Sequence, residues 1–232
     1  MGTWLREAGA DLSVCRAWDG DEVPSLSAYD GWVVLGGSMN AYADEVAPWL
    51  PTVRDRIAEA ARDGVPVLGI CLGHQLAAVA TGGAVTVNLA GQRVGLYDIG
   101  WTAAAGDDAL VGPLASPRRG VQWNSDIVTS LGESATVLAT LPDGEIQAAR
   151  FAPTVWGVQW HPEVDRAIAT SWAEGDRQDH LERGIDQDVI LEMIEGAGPE
   201  LQAAWRPLAE SFVAQVGRAA RAARAAEERR HN

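Results

Sequence analysis

The stretch Val67-Leu68-Gly69-Ile70-Cys71-Leu72-Gly73-His74-Gln75 decides the fold of this 232-residue chain. It begins inside an apolar run, residues 65–70, that predicts a short buried strand, and residues 72–80 then read as a helix. Glycine two residues before and two residues after Cys71 follows the G-x-nucleophile-x-G pattern of a sharp turn from strand to helix. Such a turn requires small neighbours, which Gly69 and Gly73 provide.

This placement predicts a reactive thiol at Cys71. At the first turn of a helix, the macrodipole and the unpaired amides favour a thiolate over a thiol. The amide of Leu72 is then placed to donate to an oxyanion. Taken alone, the motif also fits a buried structural cysteine in a glycine-flanked turn, so a second motif is needed to choose between the two.

Working outward, strand-like and helix-like runs alternate on both sides of this turn. Residues 12–17 and 29–35 read as strands and residues 48–63 as a helix, so we predict an α/β fold with a doubly wound, mostly parallel sheet flanked by helices. Further strands are predicted at residues 84–87, 97–103, 135–139, 146–151 and 155–160. From about residue 166 the pattern becomes a helical C-terminal extension, with breaks near residues 196–199 and at Pro207.

The second motif is Gln159-Trp160-His161-Pro162-Glu163, at the end of a predicted strand. His161 falls where its side chain can leave the carboxyl edge of the sheet, and Glu163 can fold back onto the imidazole. A cysteine with a distant histidine and carboxylate is a candidate thiol triad. In that interpretation His161 takes the thiol proton and Glu163 holds the imidazole tautomer. An isolated His-Pro-Glu is more typical of an ordinary loop.

Composition and charge exclude several classes of protein. The net charge of −14 argues against nonspecific nucleic-acid binding, and no apolar run approaches a membrane span. Two cysteines cannot build a disulfide framework, and no residue spacing predicts a metal or cofactor site. We therefore expect a cytoplasmic protein that needs neither metal nor cofactor and contacts neither nucleic acid nor membrane.

Together the two motifs resemble the class I glutamine amidotransferases of the Cys-His-Glu type, especially stand-alone relatives of the glutaminase domain of GMP synthase. The resemblance covers roughly residues 1–165, which we take as the catalytic domain, and leaves residues 166–232 as the extension. It implies a flavodoxin-like sheet, a second oxyanion donor at the amide of Gly37, and contact of Gln75 with the substrate. Further matching segments are Gly36-Gly37-Ser38-Met39, Pro48-Trp49-Leu50, Asp98-Ile99-Gly100-Trp101 and Gln147.

One loop departs from the family pattern. Many relatives carry Trp-His-Gly-Asp where this chain has Trp123-Asn124-Ser125-Asp126. By the resemblance this loop helps to form the pocket for the α-amino and carboxylate groups of the substrate. Asn124 and Ser125 can still form hydrogen bonds, and Asp126 can pair with an ammonium or simply begin a turn.

Three functions follow from the resemblance. The first is hydrolysis of glutamine to glutamate, with ammonia passed to a separate synthetase, because the chain has no phosphate-binding P-loop. The second is hydrolysis of γ-glutamyl peptides or conjugates, which the altered loop at Asn124 and Ser125 favours. The third is a regulatory protein without activity, against which the intact Cys71, His161 and Glu163 argue.

Two further expectations concern packing and the start of the chain. Among the ten tryptophans, those in or near the matched segments, Trp172 included, are expected to pack in the core. Relatives begin with a strand before the helix that matches residues 2–9, whereas here Met1 falls directly at that helix. We therefore expect the first strand of the sheet to be missing and the true start to lie upstream.

Overall fold

The computed structural model describes residues 1–231, which form one mixed sheet with helices on both faces. The strands are β1 (Trp32–Val34), β2 (Val67–Ile70), β3 (Ala84–Val87), β4 (Arg93–Asp98), β5 (Gly100–Trp101), β6 (Arg119–Asn124), β7 (Asp126–Ser130), β8 (Thr136–Thr140), β9 (Ile146–Ala152) and β10 (Val155–Val158). The α-helices are α1 (Gly2–Glu7), α2 (Leu50–Asp63), α3 (Leu72–Ala80), α4 (Arg166–Gly175), α5 (Arg177–Glu182), α6 (Gln187–Gly196) and α7 (Gly198–His231).

The central sheet has the strand order β1-β2-β10-β9-β8-β5. Only β1, β2 and β10 are parallel, and the pairs β10/β9, β9/β8 and β8/β5 are antiparallel. The prediction of a mostly parallel sheet is therefore wrong for the half of the sheet formed by β9, β8 and β5. Only residues 153–154 separate β9 from β10, and so short a connection can join antiparallel strands but not parallel ones.

Two antiparallel ladders lie beside the sheet, β3 with β7 and β4 with β6. Sequence analysis missed β6 and β7, because Gln122 and Asn124 interrupt any apolar pattern although both are buried. The predicted strand at residues 97–103 is divided between β4 and β5. The remaining strands from residue 84 onward lie within about two residues of their predicted positions.

The predicted strand at residues 12–17 does not form. Most of this segment is exposed, and within residues 1–231 no strand pairs with the outer edge of β1. The expectation of an upstream first strand stays a prediction.

Helices cover both faces because neighbouring sheet residues point in opposite directions. Val67 joins one buried cluster, which includes Leu50 and Leu76 from α2 and α3. Leu68 joins the other, which includes Trp205 from α7 and further residues of α4 and α6. The helical extension thus packs on the same core as the sheet, while its division from the rest at residue 165 stays a prediction.

The long helix α7 does not break at Pro207, contrary to expectation. An internal proline costs a helix about 3 kcal/mol. Trp205, Leu208 and Phe212 are all nearly fully buried around it, and their packing offsets that cost. The break near residues 196–199 is confirmed, since α6 ends at Gly196 and α7 begins at Gly198. No helix within residues 1–231 is long and apolar enough to cross a lipid bilayer.

Candidate active site

Cys71 occupies a strained turn between β2 and α3. Its φ of +52° makes it the one non-glycine residue with positive φ in the described part of the chain. Strain of this kind persists only where surrounding structure imposes it. The Cys71 amide donates to the carbonyl of Val158 at 2.9 Å, and its own carbonyl accepts from the amide of Gln75 at 3.1 Å. The backbone on both sides of the thiol is therefore held in place.

The two glycines of the motif are required by space rather than by φ. A Cβ on Gly69 would overlap the carbonyl group of Gly73, and a Cβ on Gly73 would overlap the carbonyl oxygen of Val34. The turn can be this tight only because both positions lack a side chain, which agrees with the interpretation drawn from the sequence.

His161 follows β10 and turns back toward Cys71. Its amide donates to the carbonyl of Val121 at 2.8 Å, and its Nδ1 lies 2.9 Å from Oε1 of Glu163. The ring lies beside Cys71, since a Cβ on Gly36 would come within 3.5 Å of both side chains. The structure thus brings together the three residues of the predicted triad, although they lie up to 92 positions apart in the sequence (163 minus 71).

The electrostatics of this group favour a charged imidazole. Burial alone would lower the pKa of His161, but the charge and hydrogen bond of Cys71, followed by those of Glu163, raise that pKa to about 10. An imidazolium paired with a thiolate is the activated form of a Cys-His pair. By contrast, burial lowers the pKa of His74 to about 3, so this neighbouring ring is neutral and packs against Phe151.

The two predicted oxyanion donors lie beside the thiol. A Cβ on Gly37, which follows β1, would come 2.9 Å from Cδ2 of Leu72, so the two residues are immediate neighbours. Within residues 1–231, neither the amide of Gly37 nor that of Leu72 donates a backbone hydrogen bond. Two unpaired amides next to a nucleophile are the arrangement that stabilises a developing oxyanion.

The predicted substrate-binding residues divide into two groups. Gln75 and Asn124 are buried and both donate to the carbonyl of Asp126, at 3.0 and 3.1 Å. Gln75 also donates to Oε1 of Gln159 at 3.2 Å. Ser125 is exposed, and partial burial raises the pKa of the Asp126 carboxyl. Contact of these residues with a substrate stays a prediction.

Comparison with known proteins identifies the family. The model of the family "Glutamine amidotransferase class-I" matches residues 3–170. This chain belongs to the class I glutamine amidotransferase family. No group of His, Cys, Asp and Glu side chains within residues 1–231 is arranged to hold a metal ion.

Individual relatives of this amidotransferase match it over different lengths. One subunit of the glutamine-hydrolysing GMP synthase of Halobacterium salinarum is 38% identical over 101 residues, or 43% of this chain and 54% of that protein. The chain therefore spans only about half of that relative. γ-Glutamyl peptidase 3 of Arabidopsis thaliana is 26% identical over 214 residues, or 89% of this chain and 84% of that protein. A glutamine amidotransferase structure from Thermotoga maritima has a TM-score of 0.79 and 27% identity, covering 92% of this chain and 91% of its own.

The amidotransferase site also contains aromatic residues that sequence analysis did not assign to it. Trp172, from α4, lies with its ring 4.5 Å from that of His161. Trp172 in turn contacts Trp123, whose ring lies 5.5 Å from that of His180. Of the six tryptophans in or near the matched segments, Trp123, Trp156 and Trp160 are nearly fully buried, and Trp49, Trp101 and Trp172 are half-buried and pack against the core. No sequence motif indicates that Trp172 belongs to the site, because the position of its ring depends on how α4 packs against the core.

Proposed function

We propose that this amidotransferase hydrolyses the side-chain amide of glutamine through a thioester on Cys71, releasing glutamate and ammonia for a separate acceptor enzyme. The observation that carries the proposal is the strained Cys71 beside a His161 ring that Glu163 holds through Nδ1. A thiol, a base and a group that orients the base are the parts that nucleophilic amide cleavage requires.

The proposed reaction has two halves. In the first, His161 carries the proton of the thiol, the thiolate attacks the amide carbon, and the amides of Gly37 and Leu72 receive the oxyanion. His161 then returns the proton to the nitrogen, the C–N bond breaks, and ammonia leaves a γ-glutamyl thioester on Cys71. In the second, His161 deprotonates a water molecule that attacks the thioester, and glutamate departs as the thiol is restored.

The acceptor of the ammonia is proposed to be a separate synthetase. The support for this is the relationship to the GMP synthase subunit, which is itself named as one part of a larger enzyme. Both cysteines are free thiols, and the proposed nucleophile must stay reduced to act, which fits a cytosolic location.

A second candidate is hydrolysis of γ-glutamyl peptides, and one observation favours it. The γ-glutamyl peptidase relative matches 89% of this chain, including much of the helical extension, whereas the GMP synthase subunit matches 43%. The chemistry differs only in the leaving group, which becomes an amine instead of ammonia. Ser125, in the altered loop, is exposed.

One assay tests both candidates. Ammonia release from glutamine and amine release from a panel of γ-glutamyl dipeptides are measured for the wild type, Cys71→Ala and Cys15→Ser. Glutamine turnover in the wild type and in Cys15→Ser, lost in Cys71→Ala, supports the first candidate. Preferential release of amines with the same dependence on Cys71 replaces the first candidate by the second. No turnover of either class by the wild type overturns both and favours the inactive regulatory protein.

A further inference from the structure

The helical extension places an indole directly on the proposed catalytic base. Trp172 lies on α4, just beyond residue 170, where the match to the family model ends. Its ring centroid is 4.5 Å from that of His161, with an angle of 55° between the planes. His161 is only 4% exposed, and the indole is one of the groups that shield its imidazole from solvent. The distance is at the short end of the range for packed aromatic rings, so the indole limits the orientations open to the imidazole.

Trp172 is itself held in place. Its ring contacts that of Trp123 at 5.8 Å, and the Trp123 indole N–H donates to Oδ2 of Asp176 at 2.8 Å. Helix α4 is anchored at its start by Asp165, whose side chain accepts from the amide of Ile168, and along its inner face by buried alanines. The indole is therefore supported from a β-strand and from its own helix rather than lying loosely on the surface.

We propose that Trp172 is a positioning residue that holds the imidazole of His161 toward Cys71 and stabilises the ring in its charged form. The inference rests on the proposed function, since it takes His161 as the base. Glu163 holds the ring through one hydrogen bond to Nδ1, and rotation of the imidazole about its Cβ–Cγ bond would break that hydrogen bond and turn the ring toward the indole. The indole blocks that rotation, and an aromatic face within about 6 Å of a cation attracts it.

The charges around His161 are consistent with this role. Cys71 faces the ring from the turn before α3, and Glu163 faces it from the segment of His161 itself. Asp165 and the terminal amine of Met1 lie near Glu163, where burial lowers the pKa of that amine. From α4, the imidazole is contacted by the uncharged indole of Trp172. The carboxylate of Asp176, just after α4, accepts a hydrogen bond from the indole N–H of Trp123.

The test measures the reactivity of Cys71 without any substrate. In a Cys15→Ser background, which removes the exposed thiol, the rate of alkylation by iodoacetamide is followed from pH 5 to about pH 10, the pKa of His161. The test variants are Trp172→Leu and Trp172→Phe. The control is Trp18→Leu, which removes a tryptophan that is 70% exposed. Thermal unfolding of each variant reports whether the fold is kept.

We expect Trp172→Leu to slow alkylation near neutral pH by about tenfold and to recover the wild-type rate only in more alkaline solution. Trp172→Phe, which keeps a ring, should restore most of the rate, and Trp18→Leu should match the wild type. Where the enzyme turns over a substrate, kcat should fall and KM should stay. If Trp172→Leu does not fold, Trp172→Met serves as the unbranched apolar replacement without a ring.

The inference would be overturned if the alkylation rate of Trp172→Leu depended on pH in the same way as that of the wild type. A loss that Trp172→Phe does not restore would also overturn it, because that would indicate a merely structural role for the full indole. Failure of the proposed function has a different signature, in which wild-type protein shows no turnover while the alkylation profiles of the variants still differ as expected.

Discussion

The backbone of Gly36 lies so close to the imidazole of His161 that no side chain fits between them. A Cβ at this position would come 2.8 Å from Cε1 of the ring and 3.5 Å from Cβ of Cys71. The glycine that follows β1 thus leaves the space in which the base and the nucleophile meet, and this defines a first prediction.

Gly36→Ala should displace His161 and reduce turnover by roughly a hundredfold, because a shift of about 1 Å in a catalytic group has an effect of that size. Gly106→Ala is the matched control, since a Cβ there meets nothing within 4 Å. The measurement is steady-state turnover with the preferred substrate. Equal activity in the two variants would mean that His161 does not need its observed position.

Cys71→Gly should be more stable than Cys71→Ala. Glycine adopts a φ of +52° without the strain that any side chain incurs there, and relief of such strain is worth about 1–3 kcal/mol. Denaturant unfolding of the two variants measures the difference. Ala78→Gly, within α3, is the control and should instead destabilise by about 1 kcal/mol. An alanine variant as stable as the glycine variant would show that the turn is not strained.

His161→Asn and Glu163→Gln should differ in severity. His161 handles a proton in both halves of the proposed reaction, so its loss should cost about as much as the loss of Cys71, at least a thousandfold. Glu163 orients and stabilises the ring, so its loss should be about tenfold milder. Turnover of both variants decides this. Equal and complete loss of turnover in both variants would mean that Glu163 does more than orient the ring. Full activity in both variants would mean that other residues are the catalytic groups.

The titration of His161 should depend on Cys71. Burial lowers its pKa, and the charge and hydrogen bond of Cys71 are the first of the contributions that raise it to about 10. In Cys71→Ala these contributions disappear while burial remains, so the pKa should fall. NMR titration of the four histidine rings, with His161→Asn for assignment, measures the shift. An unchanged value would mean that Cys71 and His161 are not electrostatically coupled.

The raised pKa of His161 also makes the free energy of unfolding depend on pH. Its charged form contributes stability that is fully present below about pH 6.5, the ordinary histidine value, and that is lost as the pH rises through about 10. The advantage in unfolding free energy of the wild type over His161→Asn should shrink across that window.

The local features of the site could be read from the sequence. The turn at Cys71 and the helix from Leu72 to Ala80 are marked by the glycines and the apolar pattern of the local sequence, and both form where predicted. The meeting of His161 with Cys71 was expected from the resemblance, since spacing along the chain does not encode proximity in space.

Other features depend on contacts that a sequence pattern does not contain. The antiparallel half of the sheet follows from short connections, and strand β6 is hidden by Gln122, which is buried because it hydrogen-bonds Gln147. The place of Trp172 is set by the packing of α4 against the core, and nothing in its local sequence indicates the imidazole it contacts.

The most direct test of the account is acylation of the enzyme itself. Wild-type protein is mixed with glutamine or a γ-glutamyl dipeptide, quenched in acid within the first turnovers, digested, and examined by mass spectrometry. The account predicts a γ-glutamyl thioester on the peptide that carries Cys71, absent from Cys71→Ala, which should also release no ammonia or amine. Acylation of another residue, or release by Cys71→Ala at the wild-type rate, would contradict it.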